Sequence, residues 1–354
     1  MNRLVKNMWI QQEMIRIPFV RVRFRGSSQN LMGSPPAHRG PETWHISVSM
    51  IRCVVLLVSA GTFITGCSSR KSSFSSAKEA AQALVVAMRA DNSEEVKSIL
   101  GREAEDIVSS GDEVADRQAR EKFLKAYDEK NAMVTEPDGS VTLQVGQNDW
   151  PMPIPIVERR GSWRFDTKRG RDEILNRRIG RNELSAMEVC RAIVDAQREY
   201  VATDPDRDGV REYARKIVSD PGKKNGLYWP TGEGESSSPM GPLVAEAEVE
   251  GYGKTRTEEG KSRPYQGYHY RLLTSQGDHA PGGSIDFLTH GRLTGGFALV
   301  AWPASYRNSG VMTFLMNQNG IMFERDLGRR TDRIAESISA YDPGRQWRLV
   351  ESTP

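Results

Sequence analysis

The stretch Met50–Cys67, MIRCVVLLVSAGTFITGC, constrains this chain more than any other. Arg52 supplies a short positive start, Cys53–Ile64 is uncharged and mostly apolar, and Ile64-Thr65-Gly66 places small residues ahead of Cys67. A basic start, a short apolar run and small residues at a cleavage point make an export signal. The run is shorter than the roughly 20 apolar residues that a transmembrane helix needs. It also lacks the one-sided pattern of a core helix. An ordered body is therefore expected only after it.

Ile64-Thr65-Gly66-Cys67 resembles the lipobox of bacterial lipoproteins, in which the chain is cut before the cysteine and lipid is added to it. The resemblance implies a lipid on Cys67, membrane attachment through it and an exported protein. Ser68 stands where Asp would favour inner-membrane retention, so the periplasmic face of the outer membrane is the expected address. On this reading 50–66 is a signal peptide and 67–73 a lipidated tether. Residues 1–49 are then a disordered, mis-assigned leader, with Met50 the effective start; the rival is a basic cytoplasmic arm before an uncleaved anchor.

Charge follows the same division. The whole chain has 49 basic and 46 acidic residues, a net of +3. Residues 1–66 hold eight of the basic and two of the acidic ones, leaving 41 against 44, or −3, for the mature part. The basic balance belongs to the discarded piece, so charge gives no argument for a nucleic-acid partner. Cys53 lies in the signal and Cys67 carries lipid, so Cys190 alone remains and no internal disulfide is available.

Ser76 and Glu79 have the spacing of a capping box, and the apolar period predicts a helix over 77–90. A second short helix capped by Ser93 and a third over 116–130 follow. Val141, Leu143 and Val145 alternate as in a half-buried strand. Pro151, Pro153 and Pro155 suit an edge strand over 150–157, because proline cannot donate to a ladder. Arg160-Gly161 turns the chain back through Trp163 and Phe165. Helices followed by this meander resemble a small cone-shaped domain of the nuclear-transport-factor-2 type, an analogy of architecture only.

Asn182–Thr203 is the longest helical pattern, with Cys190 a small core residue on it. Val311–Met316 and Ile321–Arg325 read as a hairpin across Asn317-Gln318-Asn319-Gly320. The fold class expected is α+β, with two helix-led units, 74–180 and 181–351, each carrying an antiparallel sheet and meeting at a charged joint over 177–182.

Candidate chemistry is sparse. Asp204, Asp206 and Asp208, followed by Gly209, match the first half of a calcium loop, but Arg215 stands where a bidentate Glu belongs. The alternatives are a weak calcium site and a plain turn that ends the helix at Thr203. Tyr228 and Trp229 either stack on a sugar or peptide ligand or anchor their loop to the core. The basic segment 159–183 either meets anionic lipid or cell-wall polymer, or is a solvated surface with internal ion pairs. The mature histidines are His269, His279 and His290, and Ser284, His279 and Asp286 have the residue types of a triad. No nucleophile elbow, phosphate loop or zinc-helix motif is present, so no catalytic residue is assigned and a non-enzyme is favoured.

The segments NDWPMPIPIVERRGSWRFD, GLYWP, SPMGPLVAEA, GYHYRLLTSQG, GGFALVAWPASY and SGVMTFLMNQNG, among others, resemble the bacterial family of exported proteins known as domain of unknown function 2950. The likeness runs from about 74 to 347. It implies export and supplies no mechanism. The second half also resembles a pseudopilin head, without the membrane-inserted helix that filament assembly uses. Three readings follow. The first is a lipid-anchored envelope protein that binds or scaffolds an envelope protein or cell-wall polymer. The second is an envelope hydrolase of cell wall or glycan. The third is a calcium-dependent adhesion or assembly module.

Overall fold

The computed structural model describes residues 73–205, 207–232, 234–252 and 263–351. The signal, Cys67 and Asp206 lie outside the described residues.

The first half begins with α1 (Ala77–Arg89), capped by Ser76, whose Oγ accepts the Glu79 N–H at 3.1 Å. The Glu79 carboxylate reaches back to the Ser75 N–H at 2.8 Å. Asp91, at φ +53°, turns the chain so that Asn92 rather than Ser93 caps α2 (Ser93–Leu100), accepting the Glu95 N–H at 3.0 Å. Gly101 stops α2 at φ +91°, where a side chain would be strained. After the short α3 (Glu105–Val108), Asp112 caps α4 (Glu113–Glu129), three residues before the start the sequence suggests.

The sheet that follows comprises β1 (Asn131–Thr135), β2 (Val141–Val145), β3 (Trp150–Pro151), β4 (Ile156–Arg159) and β5 (Ser162–Phe165). It is antiparallel in the order β1-β2-β4-β5, with β3 also paired to β2. Val141, Leu143 and Val145 face the core and alternate with half-buried neighbours. The proline-rich run is not one edge strand. It breaks over 152–155 into β3 and β4, and β4 lies inside the sheet. Prolines supply no ladder donors, so the chain pairs only at Trp150–Pro151 and again from Ile156.

Helix α5 (Thr167–Thr203) is 37 residues long and starts at Thr167, not Asn182. The charged stretch read as a joint is therefore mid-helix. One buried seam runs along it through Thr167, Gly170, Leu175, Asn182, Ala186, Val189, Ile193 and Tyr200. Its N-terminal turns pack on the first half and its C-terminal turns on the second. Gly170 permits the closest approach: a Cβ there would lie 2.5 Å from the Pro153 carbonyl oxygen.

The second half contains the parallel pair β6 (Lys216–Val218) and β7 (Gly226–Tyr228), then α6 (Gly241–Val249) and β8 (Tyr268–Leu273). Two short ladders follow, β9 (Ser275–Gln276) with β10 (Ile285–Asp286) and β11 (Leu288–Thr289) with β12 (Arg292–Leu293). The main sheet is completed by β13 (Ala298–Pro303), β14 (Met312–Asn317), β15 (Met322–Asp326) and, after α7 (Thr331–Ser337), β16 (Arg348–Leu349). Its order is β16-β15-β14-β13-β8, antiparallel throughout. Every residue of β13 is buried, which explains its unbroken apolar sequence. Leu143 and Phe314 thus belong to different sheets and to separate apolar cores. The fold is α+β.

Polar contacts join the halves. Asp112, 2% exposed, accepts the Tyr252 hydroxyl at 2.9 Å and the Gly267 N–H at 2.8 Å. Asn308 donates to the Ser109 carbonyl at 2.8 Å and accepts from Arg178 at 2.5 Å.

Candidate ligand-binding site

The first half holds a cavity of about 270 Å³ beneath α1 and α2, walled by α4, by the β3 segment and by the N-terminal half of α5. Met88, Val96, Phe123, Met152 and Ile154 give it an apolar lining, and Trp150 contributes an aromatic face. Four arginines line it as well: Arg120 from α4, and Arg177, Arg178 and Arg181 from α5. Ile174, Arg177, Arg178 and Arg181 are spaced i, i+3, i+4 and i+7, so one stripe of the helix delivers them all. Asp116 is the lone carboxylate of the lining, and neither histidine nor cysteine takes part in it.

The four cations are held differently. Arg120 ion-pairs with Asp91 at 2.5 Å. Arg177 donates from Nε to Glu173 at 2.7 Å and lies 5.4 Å from the centre of the Trp150 ring, while its Nη1 is buried without an acceptor among the described residues. Arg178 donates to the Asp106 and Ile107 carbonyls and, at 2.5 Å, to Asn308 Oδ1. Burial pulls its pKa down from the ordinary arginine value, and the field of Asp116 opposes the shift. Arg181 is exposed along its side chain, whereas the other three are half-buried, yet burial around its guanidinium still pulls its pKa down. Burial raises the Asp116 pKa against the hydrogen bond it accepts from the Ser110 N–H at 2.8 Å.

The residues singled out from the sequence lie elsewhere. Asp204 leaves the helix at φ +44°, and its Oδ2 accepts the Gly209 N–H at 3.0 Å. Asp208 accepts the Val210 N–H at 2.8 Å and pairs with Arg292; the backbone bond first and Arg292 second lower its pKa. Among the described residues no group of three His, Cys, Asp or Glu side chains is arranged to hold a metal. Trp229 is 8% exposed and packs edge-on to Tyr200, and Tyr228 packs on the same core. Their placement is that of loop anchors.

His269 stacks on Trp302, His279 pairs through Nδ1 with Asp342 at 3.1 Å, and His290 sits at φ +50° in the β11–β12 turn. Ser284 donates to the Gln276 carbonyl, Asp286 accepts the Leu288 N–H and His279 pairs with Asp342, so Ser284, His279 and Asp286 form no triad. In the basic segment 159–183, Arg159 pairs with Asp166 and Arg177 with Glu173 inside it, while Arg169 and Arg171 reach Asp138 and Asp106 outside it. Cys190 is fully buried, and burial pushes its thiol pKa far up.

Sequence reasoning missed the cavity. The available signal was the stripe 174–177–178–181, three arginines at positions where a helix normally buries apolar groups.

The family described as "protein of unknown function (DUF2950)" matches residues 71–350. The chain belongs to this family. No curated protein and no solved structure matches it. The match begins just after the sequence Cys67–Arg70 and spans both sheets, so the cavity and the second half lie within one family unit.

Proposed function

We propose that this family member is an exported, lipid-anchored protein of a bacterial cell envelope that binds an apolar small ligand and does not transform it. Its anchor is lipid on Cys67, and the outer membrane is the favoured address. The two halves, 74–180 and 181–351, serve as its domains, one carrying the ligand cavity and the other free to meet an envelope protein or cell-wall polymer.

The observation that carries the binding reading is the lining of the cavity. Acid–base and nucleophilic catalysis need a nucleophile or acid beside a partner that moves its proton. Here the lining offers apolar walls, arginines, the Asp116 carboxylate, the Asn92 amide and the Ser93 hydroxyl, and no histidine, cysteine or lysine beside them to move a proton. That set suits recognition, with apolar surface for affinity and few polar groups for orientation.

Two measurements test the proposal. Mass spectrometry of the mature N-terminus should find a lipidated Cys67, lost in Cys67→Ser; an intact Met1 on exported protein contradicts the anchor. Calorimetric titration of the mature protein with decan-1-ol should show saturable binding that Ala119→Phe, at the cavity lining on α4, abolishes. Binding unaffected by that substitution contradicts the site.

A further inference from the structure

We infer that the ligand is a single-chain amphiphile with a monoanionic carboxylate head, its chain in the cavity and its head on Arg177 and Arg181. This rests on the binding reading above and adds the ligand's chemistry to it.

Charge is the first argument. Against Arg120, Arg177, Arg178 and Arg181 the lining sets only Asp116. Cations beside apolar surface lose hydration, and an arrangement of this kind is stable where anions or acceptors compensate it. Arg120 has Asp91, and Arg178 has three neutral acceptors, of which Asn308 ties it to the second half. Those two are structural. Arg177 pairs through Nε with Glu173 but keeps a buried Nη1 without an acceptor among the described residues, and Arg181 is exposed. Spaced i, i+4, they stand about one helical turn apart on the same face. Guanidinium groups bind carboxylates through short, charge-assisted hydrogen bonds.

The shape of the cavity sets the rest. At about 30 Å³ per water-sized group, 270 Å³ holds on the order of nine such groups, the size of a medium-length alkyl chain. Met88, Val96, Phe123 and Ile154 offer that chain no hydrogen-bond partner. Asp116 decides the head. A carboxylate among the arginines repels a second negative charge, so a monoanion is accepted more readily than a dianionic phosphate.

The test is calorimetry of the mature protein at neutral pH with three probes of equal chain length: decanoate, decan-1-ol and decyl phosphate. Decanoate is expected to bind about tenfold tighter than decanol, the worth of one charge-assisted hydrogen bond. It should also bind tighter than decyl phosphate. Arg177→Gln and the exposed Arg181→Gln should each weaken decanoate and leave decanol unchanged. Circular dichroism checks that both variants fold, and Arg181→Gln keeps the test alive if the other does not. Equal binding of decanoate and decanol, or decanoate binding indifferent to Arg181→Gln, overturns the head-group assignment and leaves the cavity reading standing. Decyl phosphate binding as tightly as decanoate overturns the monoanion. Failure of all three probes overturns the cavity reading itself.

Discussion

Gly170 and Gly180 lie on the same helix, and the structure assigns them opposite responses to alanine. In an ordinary helix Gly→Ala stabilises by up to about 1 kcal/mol, because alanine loses less backbone entropy. At Gly180 no atom lies within 4 Å of an added Cβ, so that gain should appear in full. At Gly170 the same Cβ would meet the Pro153 oxygen at 2.5 Å, the Pro153 carbonyl carbon at 2.6 Å and Ile154 Cα at 2.7 Å. All three atoms are backbone or fixed to it, and carbon contacts are comfortable only near about 3.5 Å. The helix and the segment between β3 and β4 must part by roughly 1 Å along a close-packed seam. Overpacking of this kind costs about 1–3 kcal/mol, and more where no side chain can yield. Gly170→Ala should therefore fall about 2–4 kcal/mol below Gly180→Ala after the propensity gain common to both. For a body of this size each kcal/mol moves Tm by about 2–4 °C. Urea unfolding followed by circular dichroism reads the difference. Equal stability of the two variants would refute the tight seam between α5 and the segment 152–155. Because Pro153 and Ile154 also line the cavity, Gly170→Ala should weaken decanol binding as well.

Further outcomes are expected. Asp112→Ala removes the α4 cap and leaves the Tyr252 hydroxyl and Gly267 N–H without an acceptor, so it should cost about 2–4 kcal/mol, read by urea unfolding; a loss under about 1 kcal/mol would deny Asp112 its joining role. The Asp138 carboxyl, held by the Ser140 hydroxyl and N–H and then by Arg169, should titrate at about 2 by NMR. Its folded pKa is depressed, so its contribution to stability is present above the ordinary carboxylate pKa and fades as pH falls towards about 2; a midpoint near 3.8 contradicts this. The Cys190 thiol should resist thiol reagents until the protein unfolds, since burial both shields it and raises its pKa; labelling at the rate of an exposed thiol would contradict its place in the core.

Much of the fold was legible where local signals agree with packing. Ser76 with Glu79, the alternation of Val141, Leu143 and Val145, and the hairpin of Val311–Met316 with Ile321–Arg325 each point one way and appear as expected. The end of α5 at Thr203 follows from Asp204 preceding Pro205. The start of α5 was hidden because its first turns bury Thr167, Gly170 and half-buried arginines instead of an apolar stripe. The proline run misled because its alternation is that of a strand, while its backbone lacks the donors to pair. The cavity was hidden for a tertiary reason. Its walls come from α1, α2, α3, α4, the β3 segment and α5, and within single elements the stripes Asp116-Ala119-Arg120-Phe123 and Ile174-Arg177-Arg178-Arg181 leave the trace.

On the proposal above, this protein carries a single-chain anion in the cavity beside Trp150 and Arg177. Native mass spectrometry of the mature protein, released gently from its own membrane, measures that most directly. The wild type should show a mass excess that disappears on unfolding and is identified as an alkyl carboxylate at close to one per chain, and Ala119→Phe protein should lack it. A wild-type mass free of ligand, or the same ligand on the Ala119→Phe protein, would contradict the account.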